Sequence, residues 1–251
     1  MNKQQARWDK MAGQFDALQI PQWDSDPFLK ILNGLPLWDK DCNALDLGCG
    51  AGRHTIALSK RCCSATGTDI SPKMIDFANQ KKEAHSAKNC SFFTADWNEL
   101  DVDAAGLTKQ FDLIIAHMTP ALCDIASLEK LNRCAKGWCA MATFQNRKAP
   151  QQAALLELLG LPSAIQSHIP DLFTYLYEQG MCPQVTYYTR DDSRTLSVAE
   201  AISFYQNGLP CEATPEICST IEKYVQQIAV DNIVTNTVHS NIVCMTWNVN
   251  Q

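Results

Sequence analysis

Residues 44–58, ALDLGCGAGRHTIAL, constrain the fold more than any other stretch of this chain. A short apolar run, expected as a buried strand, passes into three glycines at alternate positions, Gly48, Gly50 and Gly52. An apolar-periodic segment, expected as a helix, follows. Glycine at such a turn permits dihedrals and close approaches that a side chain forbids. A strand, a glycine turn and a helix in that order aim backbone N–H groups and a positive helix end at whatever lies against the turn. Three neighbours satisfy the requirement: a pyrophosphate, a different nucleoside, or only the adjoining helix. The dinucleotide fingerprint asks for G-x-G-x-x-G, and here Arg53 stands at the sixth position counted from Gly48. That departure disfavours a nicotinamide-dependent oxidoreductase.

Around this turn the sequence alternates short apolar runs with amphipathic segments, the pattern of a parallel sheet with crossover helices. Strands are predicted at 44–48, 64–70, 90–95, 111–117 and 138–144, with helices at 52–61, 72–86 and 127–135 between them. Ser71-Pro72 suits a helix start, since Ser caps and Pro fits the first turn. After Phe144 the rhythm changes: 149–182 reads as mostly helical, 183–189 alternates like a strand, 197–206 and 215–230 read as helices, and 241–249 is a last strand. An amphipathic helix is also expected within RWDKMAGQFDAL, ahead of the first strand. The expectation is one α/β domain over 1–251 with a doubly wound, mostly parallel seven-stranded sheet and helices on both faces. Its parts are an N-terminal cover (1–40), a core (41–145), a lid with helices and a sixth strand (146–235), and a final strand (236–251).

The turn has company at the neighbouring strand tips. Asp69 ends the second predicted strand, nineteen residues after Gly50, where a carboxylate accepts both hydroxyls of a ribose lying across the sheet. Asp96-Trp97 ends the third: an acceptor for an exocyclic amine and a ring able to stack on a base. Helix caps or surface positions explain each alone, but ligands of open α/β sheets bind at this carboxyl edge.

The segments LDLGCGAGRH, GTDIS, TADWNEL and FDLIIAHMTPAL resemble, in order and spacing, the successive motifs of the class I, Rossmann-like S-adenosylmethionine-dependent methyltransferases, over residues 44 to about 145. The resemblance implies S-adenosylmethionine as cofactor and S-adenosylhomocysteine as product. It implies that Asp46, Gly48, Cys49, Gly50 and Gly52 surround the methionine portion and that Asp69 holds the ribose. Ile70 would pack on adenine, Asp96 and Trp97 would lie at its amine and ring, and His117 and Met118 would line the wall near the sulfonium. A cationic sulfonium also suits an acidic, aromatic rim on physical grounds.

Methyl transfer from a sulfonium is an in-line displacement, for which placement in a dry site supplies most of the acceleration. His117 is the candidate catalytic or orienting residue; the plainer reading is a histidine that packs or caps. The motif after the fourth strand, Met-Thr-Pro-Ala at 118–121, does not support methylation of nucleic-acid bases. Trp8 and Phe15, seven residues apart, are candidates for a cover over the site or for a helical core face. Tyr175 and Tyr188, within an aromatic-rich stretch, and Arg147 are candidates for the acceptor side, Arg147 and Arg190 as anchors for an acidic group. A small-molecule acceptor is expected; a protein or RNA acceptor, or a binding protein without chemistry, are the alternatives. The formal net charge of -6 argues against a nucleic-acid surface. Twelve scattered cysteines without a C-x-x-C pair, no apolar run of membrane length and no leader pattern are read as a reducing cytoplasm with free thiols, no membrane and no metal.

Overall fold

The computed structural model describes residues 3–38, 41–162, 168–209 and 211–251. The chain runs α1 (Lys3–Asp16), α2 (Pro27–Asn33), β1 (Asn43–Leu47), α3 (Arg53–Ser59), β2 (Ser64–Asp69), α4 (Pro72–Ala84), β3 (Cys90–Thr94), β4 (Phe111–His117), α5 (Ile125–Cys134) and β5 (Ala135–Lys148). It continues through α6 (Pro150–Leu158), α7 (Ile169–Glu178), β6 (Gln184–Ser197), α8 (Val198–Asn207), α9 (Pro215–Ile228) and β7 (Ile233–Asn248). The strands form a seven-stranded sheet in the order β3-β2-β1-β4-β5-β7-β6. The β1–β2, β2–β3, β1–β4 and β4–β5 pairs are parallel. Strand order reverses between β1 and β4, so the crevice outside their carboxyl ends is where this architecture binds ligands.

Local chemistry explains the elements. Ala44, Leu45 and Leu47 of β1 and Leu113 to Ala116 of β4 are buried without alternation, as strands covered on both faces require. Ser71 Oγ accepts from the Met74 N–H at 3.1 Å, and Pro72 follows as the first helical residue of α4. Asp26 caps α2 in the same way, through the Leu29 N–H at 3.0 Å. Asp124 with Ser127, and Ser197 with Glu200, close reciprocal capping boxes on α5 and α8.

Three strands are longer than their apolar patterns. β5 runs to Lys148, β6 to Ser197, and β7 begins at Ile233, against predicted spans of 138–144, 183–189 and 241–249. The additional residues of β5 and β6 are mostly exposed, so backbone pairing rather than burial defines them, and hydropathy carries no trace of it. Of the helical stretch expected over 149–182, α6 and α7 are present, and residues 163–167 lie outside the described residues, as do 39 and 40 of the expected N-terminal boundary.

The chain divides into two compact units: residues 1–143, 168–186 and 243–251 form the first, and 144–167 with 187–242 the second. The expected core falls in the first unit through Thr143, and the expected lid segment is shared between the two. In the first unit Leu45, Leu47, Trp97, Ile114, Leu128, Met141, Leu172 and Trp247 belong to one buried cluster. In the second, Leu155, Ala201, Tyr205, Ile221, Val225 and Val234 form another, drawn from α6, α8, α9 and β7.

Gly52 ties the turn to the layer beneath it. Its φ is +76°, and a Cβ there would stand 2.8 Å from the Phe92 ring and 2.9 Å from the Ala78 methyl. Both a left-handed conformation and an overpacked contact oppose a side chain. Gly52→Ala is expected to lower stability by about 2–4 kcal/mol in denaturant unfolding. A loss too small to resolve would show that α4 and β3 yield, and that this glycine is not required for packing.

Candidate functional site at the carboxyl edge of β1, β2 and β4

The three glycines face three different neighbours. Gly48, at φ +69°, would drive a Cβ to 1.9 Å from Thr119 Oγ1, so the loop after β4 occupies its side-chain space. Gly52 is filled by Phe92 and Ala78, as above. Gly50, at φ +53°, opens onto space: a Cβ there would meet only Met74 Sδ, at 3.9 Å. The turn's amides are also divided. Those of Gly48 and Cys49 both donate to the Thr68 carbonyl, at 2.8 and 2.9 Å, binding the turn to β2. The Gly50 amide donates to Asp69 Oδ2 at 2.9 Å. Cys49 is buried; burial first, then Asp46 and Asp69, holds its thiol well above the usual range, so it stays protonated.

Asp69 joins two turns. Its other oxygen, Oδ1, accepts from the Ser71 amide at 2.9 Å. Burial raises its pKa, the backbone donors of Ser71, Gly50 and Ile70 oppose that rise, and Asp9 adds to it. Asp9 lies on α1, sixty-two residues before Ser71, and accepts from Ser71 Oγ at 2.5 Å. Asp46, 2% exposed at the end of β1, accepts from Thr55 Oγ1 at 2.7 Å. Burial pushes its carboxyl up to about 7; Thr55 opposes this, and the nearby Asp69 carboxylate contributes.

Past β4, Met118 takes φ +55°, an uncommon conformation for a residue with a side chain, and its amide donates to the Ala142 carbonyl at 2.8 Å. His117 precedes it, half-buried, with its ring 4.2 Å from that of His54 and 4.7 Å from that of Phe28. His54 is buried, and its Nε2 has no hydrogen-bond partner. Burial, then His117 and Arg53, holds its pKa well below the usual histidine value, so the ring is neutral. Sequence reasoning missed His54, Phe28 and Asp9. His54 stands two positions after Gly52, and its place in the quoted motif was the available signal. Phe28 and Asp9 carried none, because α2 and α1 reach the site only through the tertiary fold.

Other candidates are placed differently. Asp96 accepts from the Asn98 amide at 3.1 Å in a local turn. Trp97 does not offer a face for stacking: it is 3% exposed within the hydrophobic core, its Nε1 donates to the Ser127 carbonyl at 3.2 Å, and the expectation of a base-stacking ring is corrected to a core role. The reason is its apolar surface, which the buried cluster beside α5 takes in. Ile70 is half-buried beside Asp69. Trp8 and Phe15 meet each other edge to face at 5.8 Å on α1, which packs on α4 and is fastened there by the Lys81–Asp16 pair at 3.0 Å. Tyr175 donates its hydroxyl to Glu129 at 2.7 Å, a contact that pushes its pKa up to about 12 and leaves the hydroxyl committed within the first unit. Arg147 and Tyr188 belong to the second unit.

A family model described as a methyltransferase domain matches residues 38–179, more than half of the chain and all of the elements just described from β1 to α7. The chain belongs to the class I S-adenosylmethionine-dependent methyltransferases. Among curated relatives, the 23S rRNA (uracil(1939)-C(5))-methyltransferase RlmD of Haemophilus influenzae is 32% identical over 44% of this chain and 27% of its own length. The magnesium-protoporphyrin O-methyltransferase of Rhodobacter capsulatus is 33% identical over 34% of this chain and 36% of its own. The chain thus spans about a third or less of these relatives. The solved DhpI–SAM–HEP complex is similar in fold, with a TM-score of 0.53 and 19% identity over 73% of this chain and 90% of that one.

The residues present fit S-adenosylmethionine. Gly50 alone of the three glycines leaves its side-chain space open, and its amide is bonded to Asp69, so open space and a carboxylate held by backbone donors adjoin. A carboxylate has lone pairs enough to accept from hydroxyls such as those of a ribose in addition to backbone donors. The acidic groups Asp46 and Asp69 complement a cationic ligand.

The raised pKa of Asp46 has a sign. A carboxyl whose folded pKa is about 7 binds its proton in the folded state between about pH 4 and 7, where the unfolded chain has released it. Its contribution to stability is therefore present at low pH and lost as pH rises through 7. Asp46→Asn is expected to remove that loss, gaining on the wild type on the order of 4 kcal/mol between pH 4 and 8 in denaturant titrations. Parallel stability profiles for the two proteins would contradict the assignment.

Proposed function

We propose that this protein transfers the methyl group of S-adenosylmethionine to a small-molecule acceptor by in-line displacement. The observation that carries the reading is the clamp at Asp69, with the Gly50 and Ser71 amides each 2.9 Å from its oxygens, beside the open face of Gly50. When bound, the cofactor supplies an electrophilic methyl on a good leaving group. The chain supplies placement, a negative surround and exclusion of water. Asp69 orients the sugar through its outer lone pairs, and Asp46 adds negative charge beneath the turn in its ionised form. His117, at the tip of β4, is the candidate base or orienting group for the acceptor, with Met118 beside it. The rings of His54 and Phe28 limit where the His117 imidazole can swing.

A small acceptor is favoured over a macromolecule by the net charge of -6, which repels a polyanion. The twelve cysteines are all unpaired, which fits a reducing compartment such as the cytoplasm; no helix among the described residues is long and apolar enough to cross a membrane.

S-adenosylmethionine is expected to raise the melting temperature of the wild type. Gly50→Ala is expected to abolish most of that shift, while its own stability falls by only about 1 kcal/mol for the left-handed backbone. An undiminished shift in Gly50→Ala would show that the ligand lies elsewhere. For the acceptor, release of S-adenosylhomocysteine is followed with pooled small metabolites and, separately, with ribosomal RNA. Turnover with RNA alone would overturn the small-molecule reading. His117→Ala is expected to reduce kcat by about 10²-fold or more with cofactor affinity retained, and an unchanged kcat would assign His117 to packing.

A further inference from the structure

The second unit gathers positive charge around one aromatic ring. The guanidinium carbons of Arg147 and Arg190 each lie 5.7 Å from the centre of the Phe144 ring. Along β6 the alternation of side chains puts Arg190, Asp192 and Arg194 on one face and Asp191 on the other. Asp191 is engaged there by His239, at 2.5 Å. Arg190 pairs with Asp192 at 2.8 Å. Arg194 stands 6.0 Å from the Phe204 ring centre, and neither it nor Arg147 has an ion pair among the described residues. Three guanidiniums against the single carboxylate of Asp192 leave two positive charges without an anion.

This crowding acts on Arg147 itself. Although the residue is exposed, its head group is hemmed in: the surrounding protein disfavours its charged form first and Arg190 next, Asp192 opposes them, and Arg194 adds to the repulsion. Like charges gathered in this way make a local positive field that favours an anion beside them, in a chain whose net charge is -6. The chemistry of the cluster suits one. A guanidinium held over an aromatic face keeps its N–H donors at its edge, free to form paired hydrogen bonds with a planar carboxylate or a phosphoryl group.

We propose that Phe144, Arg147, Arg190 and Arg194 form a binding site for a small molecule bearing a phosphoryl or carboxylate group. The site is local rather than a track for a polyanion, because Asp192 interrupts the positive charge on this face of β6 between Arg190 and Arg194 and would repel successive phosphates of a nucleic-acid strand. The inference stands on the second unit alone and does not depend on the cofactor reading.

The test is calorimetric titration of the full chain, without cofactor, with inorganic phosphate and in a separate arm with succinate, at constant ionic strength set by sodium chloride. Saturable binding of one or both is expected, and which arm responds assigns the phosphoryl or the carboxylate source. Arg147→Gln and Arg194→Gln are each expected to weaken binding by about tenfold. In chloride buffer their melting temperatures are expected to equal or exceed that of the wild type, because a repulsion has been removed. Arg147→Lys, which keeps the charge and loses the planar fork, is expected to weaken binding as well. No saturable binding of either anion, equal binding in wild type and variants, or binding of a short single-stranded RNA through these arginines in the absence of small-anion binding would overturn the proposal.

Discussion

The carboxylate of Asp69 is the point on which the site depends. One oxygen takes the amide of Gly50 from the turn after β1, and the other takes the amide of Ser71 from the turn after β2. Two turns that begin different helices are thereby held in one arrangement by a single charged acceptor, a stronger tie than neutral hydrogen bonds provide. Ser71 extends the tie: its hydroxyl caps α4 and donates to Asp9, which brings α1 to the same edge of the sheet. The Lys81–Asp16 pair fastens the other end of that helix. A change at Asp69 would loosen both turns and the N-terminal helix along with any ligand contact.

The electrostatics of this edge follow from burial. Asp46 and Asp69 both sit where burial disfavours their charge; Asp69 adds to the rise at Asp46, and Asp9 adds to the rise at Asp69. A cation beside these carboxylates would favour their charged forms, whereas a neutral group that only displaces water would disfavour them further. The same edge holds a neutral His54, its Nε2 without a hydrogen-bond partner, against His117, so the part of the edge at β4 is less acidic than the part at Asp46 and Asp69. One fold edge thus presents two chemically distinct walls.

The parallel core was legible because its central strands β1 and β4 are buried on both faces, and Ser71-Pro72 marked the start of α4 to the residue. The glycine turn was legible as a turn, but the division of labour among its glycines was not: Thr119, Phe92 and Ala78 reach it from other elements, and only the tertiary fold brings them there. Trp97 was misread for a related reason. A ring next to an acidic strand tip has the same sequence signature whether it faces a ligand or the core, and α5 decides which. The long exposed ends of β5 and β6 were invisible because backbone pairing leaves no hydropathy pattern. The arginine cluster draws on β5 and β6, with Arg147 and Arg190 forty-three residues apart in sequence, and Arg194 gave no local sign of belonging to it.

The central claim is that Asp69 receives the hydroxyls of a ribose. A double-mutant cycle of binding free energies tests it most directly, pairing wild type and Asp69→Ala with S-adenosylmethionine and its 2′,3′-dideoxy analogue. The account predicts that removing the hydroxyls weakens binding to the wild type by about 2 kcal/mol or more and leaves binding to Asp69→Ala nearly unchanged. Equal losses in both proteins would contradict it.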